Sequence, residues 1–178
     1  PLHRGNQSYP RATVKAGIPA VLAPKQPAAP KALDRSTGRR LWLANWIASP
    51  DNALTARVIA NRVWQWHFGT GLVRTPSDFG YLGDAPSHPE LLDWLAAELV
   101  ESGWNLQHLH RLIVTSNVYR TAGGKPPSKD PENRLLSSFP RRRLDGEELR
   151  DAMLSISGTL SDRKGGPGVM PPLPKELL

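Results

Sequence analysis

Every strongly periodic apolar segment in this chain repeats at three and four residues, and none alternates cleanly at two. A core built from such segments is a core of packed helices, because only a 3.6-residue period brings those positions onto one face. Ser36 or Thr37 is placed to cap a first helix carrying Leu41, Trp42, Leu43, Trp46 and Ile47, which must stop before Pro50. Asn52 or Thr55 starts a second, reaching about His67, in which Ile59, Val63 and Trp66 form one stripe. Val58 and Trp64 lie off that stripe, which predicts a centrally buried helix with Trp64 turned toward another surface. Ser87-His88-Pro89-Glu90 has the spacing of a capping box with proline in the first turn, ahead of Leu91, Leu92, Leu95 and Leu99. Asn105 caps the next helix, with Leu106, Leu109, His110 and Ile113 facing inward. Asp130-Pro131-Glu132-Asn133 repeats the start chemistry for a short helix. Asp145 with Glu148 starts the last one, which Gly158 closes.

The expected fold is therefore mainly α, an irregular orthogonal bundle of about five to six helices with a long packed loop and Pro-rich extended termini. Residues 1–35 hold six prolines and read as an extended lead-in or linker. The helical domain spans 36–164, and 165–178 is a Pro/Gly-rich tail. Between the second and third helices, Gly69, Gly71, Pro76 and Gly80 break regular structure while Phe68, Leu72, Val73, Phe79, Tyr81 and Leu82 anchor it. A packed loop of that length is a common place for function. Pro1-Leu2-His3 stands where an initiator Met would, so the chain is expected to be a segment of a longer protein.

With 39% hydrophobic and 22% charged residues the chain has the composition of a folded domain. It has no cysteine, which excludes on this segment a disulfide framework, a thiolate nucleophile, a cysteine-ligated zinc and a covalently attached c-type haem. No window approaches the roughly 20 apolar residues that cross a bilayer. The net charge of +7 could attract nucleic acid, an acidic partner or an anionic polysaccharide, but the basic residues are mostly scattered and no recognition-helix pattern accompanies them.

No residue set spells out a catalytic mechanism. There is no Gly-x-Ser-x-Gly elbow, and Gly69-Thr70-Gly71 is too short to cradle phosphate. His108 and His110 point about 200° apart on a helix and cannot grip one ion. His110 lies on the apolar stripe and reads as a hydrogen-bonded core histidine. The candidate polar centre comprises Arg57, Asn61, Arg62, His67, Asp78, His88 and Glu90, with no metal and no catalytic residue assigned. Buried guanidinium groups need partners, so an arginine–carboxylate network is expected to tie loop 69–86 to the helices, with Asp78 among its acids. All six tryptophans fall between residues 42 and 104. Trp42, Trp46, Trp66 and Trp94 read as core, and Trp64, Phe68, Phe79 and Tyr81 as the candidate interface.

Several long strings resemble the planctomycete PSD-one domain, a bacterial domain of unknown function. They are Asn52-Ala53-Leu54-Thr55-Ala56-Arg57-Val58-Ile59-Ala60-Asn61-Arg62-Val63-Trp64, then His67-Phe68-Gly69-Thr70-Gly71-Leu72-Val73-Arg74-Thr75-Pro76-Ser77-Asp78-Phe79-Gly80, then Ser87-His88-Pro89-Glu90-Leu91-Leu92-Asp93-Trp94-Leu95-Ala96. Leu112-Ile113-Val114-Thr115-Ser116, Tyr119-Arg120, Arg143-Leu144, Glu147, Arg150-Asp151 and Ser157-Gly158 agree, as does His3-Arg4-Gly5. The resemblance implies an exported, periplasmic parent protein with a cytochrome-associated domain as partner. It also implies that any haem c sits on a separate module of that parent, with no cofactor on this segment. One departure is Trp66 beside His67, where a second histidine is frequent. The function expected from all this is an accessory or interaction module. The alternatives are an enzymatic or electron-transfer accessory using His67, Asp78, His88 and Glu90, and, with least support, a basic nucleic-acid-binding domain.

Overall fold

The computed structural model describes residues 2–3, 6–10, 15–32, 34–161, 163, 165–166 and 168. Among them are five helices and one short hairpin, so the fold is mainly α as the periodicity requires. The helices are α1 Arg39–Ile47, α2 Thr55–Phe68, α3 Pro89–Glu101, α4 Leu106–Thr115 and α5 Gly146–Ile156. The chain falls into two units, Pro1–Arg141 and Arg142–Leu178.

In the first unit the extended lead-in contains a two-stranded antiparallel pairing, β1 Leu2–His3 with β2 Asn6–Pro10, irregular between Leu2 and His3. Arg4 and Gly5, part of the family-like His3-Arg4-Gly5, lie outside the described residues, as does most of the tail over 165–178. Gly38 is the N-cap of α1, in place of the expected Ser36 or Thr37. Its φ of 67° needs no Cβ, and its N–H is taken by Ser36 Oγ.

The core forms where α2, α3 and α4 pack on one another. Helix α2 contributes Ala60, Val63, Trp64 and Phe68, α3 contributes Leu92, Leu95 and Leu99, and α4 contributes Leu109 and Ile113. Leu72 and Val73, from the loop after α2, complete it. The expected Ile59–Val63–Trp66 stripe is rotated in the structure. The buried face of α2 runs through Ala56, Ala60, Val63, Trp64 and Phe68, and Trp66 is 61% exposed. Two alanines carry little hydropathy signal, yet both are buried, and Ala60 lies in the core cluster with the α3 leucines. Trp64, with only 4% of its surface exposed, fills the space beside them. Trp94, expected in the core, is likewise turned outward and 47% exposed. Trp42 and Trp46 are half-buried.

Capping follows the sequence at some ends and departs from it at others. Asn105 Oδ1 accepts the His108 N–H, as expected for α4. Leu106, expected to face inward, is exposed, because the inward stripe starts one turn later at Leu109. No capping box forms at α3. His88 is its N-cap, Ser87 Oγ bonds His88 Nδ1, and the Ser87 N–H donates to Leu72 O instead of closing onto Glu90. The short helix expected after Asp130 is a run of turns. Asp130 accepts from the Arg134 and Leu135 amides, and Asn133 and Leu136 take left-handed φ values of 52° and 55°, which no helix continues through.

In the second unit α5 starts with the expected capping box. Asp145 Oδ1 accepts the Glu148 N–H, Glu148 Oε2 accepts the Asp145 N–H, and Gly158 follows the helix with φ 72°. Arg142 pairs with Glu148 beside this cap and holds its carboxyl below the usual carboxylate range, helped by the Asp145 amide.

Candidate functional site

The loop 69–86 is the feature that α2 and α3 jointly position, and its anchor is Asn61. This side chain is fully buried, and both its polar atoms are spent on one residue of the loop. Asn61 Oδ1 accepts the Val73 N–H at 2.8 Å, and Asn61 Nδ2 donates to Val73 O at 3.0 Å. An amide carries a donor and an acceptor side by side, so it can imitate a strand neighbour for one residue of irregular chain. Gly71 lies against the same clamp. A Cβ there would stand 2.6 Å from Val73 O and 2.7 Å from Asn61 Nδ2. Arg74 then ties the loop to the turns near 130 through Glu132 Oε2 at 2.7 Å. A cleft of about 70 Å³ opens beside this pair, with Trp64 and Phe68 in its wall.

Farther along, the loop braces itself. Thr75 Oγ1 donates to Asp78 O and accepts the Asp84 N–H, while Asp78 Oδ1 accepts the Gly80 N–H. Asp78 therefore shapes its own turn rather than joining an arginine network, which corrects the expectation placed on it. Gly83 is obligatory here, since a Cβ would come within 2.2 Å of Asp78 O. The turn so fixed holds Tyr81 and Leu82 out in solvent, the first fully exposed and the second nearly so.

The other expected polar residues do not gather into one centre. Arg57 Nε donates to Asp93 Oδ1 at 2.6 Å, joining α2 to α3, and its Nη1 donates to Ala53 O. That hydrogen bond, reinforced by the opposite charge, raises the Arg57 pKa and lowers that of Asp93. His67 Nε2 meets His110 Nδ1 at 2.8 Å, so one ring donates and the other accepts. The two rings are edge to face, and Tyr119 stands edge-on to His67. His88 bonds Ser87, while Arg62 and Glu90 project into solvent. Among the described residues no three His, Asp or Glu side chains are grouped so as to hold a metal ion.

Of the candidate interface residues, Trp64 and Phe68 are buried and stacked on each other with ring centroids 4.2 Å apart. Both are almost wholly covered and offer no surface beyond the small cleft they line. Phe79 is half-buried and Tyr81 is free. The partnership of His67 with His110, 43 positions along the chain, carries no local sequence signal. Nor does that of Arg74 with Glu132. Both depend on how helices and turns meet.

The core of α2, α3 and α4 and the clamped loop after α2 together make a mainly helical domain. Residues 39–177 match the PSD1 family, described as a protein of unknown function (DUF1553), and the chain belongs to that family. No curated protein and no solved structure is similar to it.

Proposed function

We propose that the chain is an interaction module of a larger exported protein, and that it docks onto the cytochrome-associated part of the same parent through the turn 75–84. The observation that carries this reading is the exposure of Tyr81 and Leu82 at the tip of a hydrogen-bonded turn. A rigid turn loses little entropy when a partner covers it, and tyrosine is among the residues that dominate interfaces, with Leu82 adding apolar area beside it. Trp66 on α2 and Trp94 on α3 add exposed indoles to the surfaces of the helices that hold the loop. The choice of partner, and the export, rest on the family resemblance. Among the described residues no helix is long and apolar enough to cross a membrane.

The test is a calorimetric titration of the chain with the cytochrome-associated remainder of its parent. Saturable binding is expected, weakened at least about tenfold by Tyr81→Ser with Leu82→Ser. Absence of binding would remove the module reading; binding indifferent to both substitutions would remove the turn from it. An enzymatic or electron-transfer accessory role has the His67–His110 pair in its favour. It would gain ground if His67→Ala impaired the parent's activity while leaving docking intact.

A further inference from the structure

Helix α1 fully buries none of its side chains, and its tryptophans face the Pro-rich chain over 22–28. That chain is held in place on its own account. Gln26 Oε1 accepts the Ile18 N–H, and Gln26 Nε2 donates to the carbonyls of Ile18 and Ala23. A further tie is Trp42 Nε1 donating to Ala28 O at 2.7 Å. Fixed this way, the strap stands off the helix and leaves a cavity of about 670 Å³ between them. That volume falls inside the range of roughly 300–1,000 Å³ typical of small-ligand sites.

We infer that this cavity is a binding site for a neutral pyranose unit of a glycan. Trp42 and Trp46 are one helical turn apart and offer half-buried indole surface on the same face, suited to the C–H face of a sugar ring. Asn45 lies between them in sequence, and Asp51 follows the helix. Both line the cavity, and among the described residues neither side chain has a hydrogen-bond partner. The Asn45 amide supplies a donor and an acceptor, and the Asp51 carboxylate supplies acceptors, which together match adjacent hydroxyl groups. The Trp46 N–H adds a donor. Lys25 and Asp51 are the two formal charges on the wall and they cancel, which favours a neutral polyol over a cation or an anion. Among the described residues Trp42 makes the indole hydrogen bond to the strap, which leaves the Trp46 N–H for a ligand.

The site is independent of the turn 75–84 and is tested separately. Two-dimensional proton–nitrogen spectra of the whole chain resolve six indole N–H signals, and Trp46→Phe assigns the one that matters. Cellohexaose, maltohexaose and mannohexaose are titrated in turn. The Trp46 signal should shift saturably with at least one of them while those of Trp66 and Trp94 stay still. Asn45→Ala with Asp51→Ala, which removes no bond to the strap, should weaken that binding at least about tenfold. No shift with any of the three at about 10 mM would overturn the assignment, since that excludes even millimolar affinity. So would shifts centred on Trp66 and Trp94, or an affinity unchanged in the double variant. A shift produced instead by a peptide copying residues 23–30 would overturn it in favour of a groove for proline-rich chain.

Discussion

The buried amide of Asn61 makes both of its hydrogen bonds to the backbone of Val73, so one α2 side chain fixes the start of the loop on which the functional reading depends. Val73 and its neighbour Leu72 are thereby held in the core that α2, α3 and α4 form. The loop beyond them is free to face solvent because its root is not.

Removing the clamp should cost more than removing an ordinary hydrogen bond. In Asn61→Leu the Val73 N–H and C=O stay buried and lose their partner, at about 1–3 kcal/mol for each group left unsatisfied. Urea unfolding should therefore show a loss of roughly 2–6 kcal/mol with an unchanged slope. Gly71→Ala pushes a methyl group into the same clamp and should cost about 1–3 kcal/mol. The two substitutions damage one contact, so their double variant should lose less than the sum. Full additivity would show that the clamp does not bind the loop.

The His67–His110 bond joins the last turn of α2 to α4, and its strength is measurable as a coupling. His67→Ala and His110→Ala, each alone and combined, should give an interaction energy of about 0.5–1.5 kcal/mol. A coupling near zero would mean that the two rings are neighbours without being partners.

The sequence specified the helices better than it specified which way they face. The α3 stripe of Leu92, Leu95 and Leu99 was legible because leucines advertise a buried face, and Asn105 and Asp145 cap as their residue types predict. The α2 face was misread because Ala56 and Ala60 mark it only by being small, while Ile59 and Trp66 raise the hydropathy of a neighbouring face. The candidate site was legible residue by residue and not as a group. Asn61, His67 and Asp78 all hold structured roles, but Val73, His110 and Gly80 are their partners. Tertiary approach decides the first two pairings, which a linear pattern does not encode. The Asp78 turn is local, and the Asp-x-Gly spacing could have announced it.

Acid should weaken the Arg57–Asp93 pair in a defined direction. Asp93 has its pKa lowered in the folded chain by its bond to Arg57, so its contribution is present above the ordinary carboxylate range. That contribution is lost as pH falls through the lowered folded value. Both groups are partly exposed, which limits the pair to about 0.2–1 kcal/mol. Asp93→Asn should lower the unfolding free energy by that amount near neutral pH, and the difference from the unsubstituted chain should shrink toward about pH 3. A difference that grew on acidification would reverse the sign and exclude this pairing as its cause.

Three tryptophans on two helices allow burial and exposure to be compared directly. Trp64 stacks on Phe68 within the core, so Trp64→Ala should cost about 3–5 kcal/mol. Trp66 and Trp94 keep much of their surface in water, so Trp66→Ala and Trp94→Ala should each cost far less, on the order of 1 kcal/mol. The same variants separate stability from docking. With Trp64→Ala, loss of partner binding should follow the fraction unfolded and return under stabilising conditions, because the residue acts through the fold. With Trp66→Ala or Trp94→Ala, any loss of binding should persist at full folding, because those rings would be touching the partner. Equal destabilisation by all three would mean that the rotated face of α2, and with it the outward aim of Trp66, is wrong.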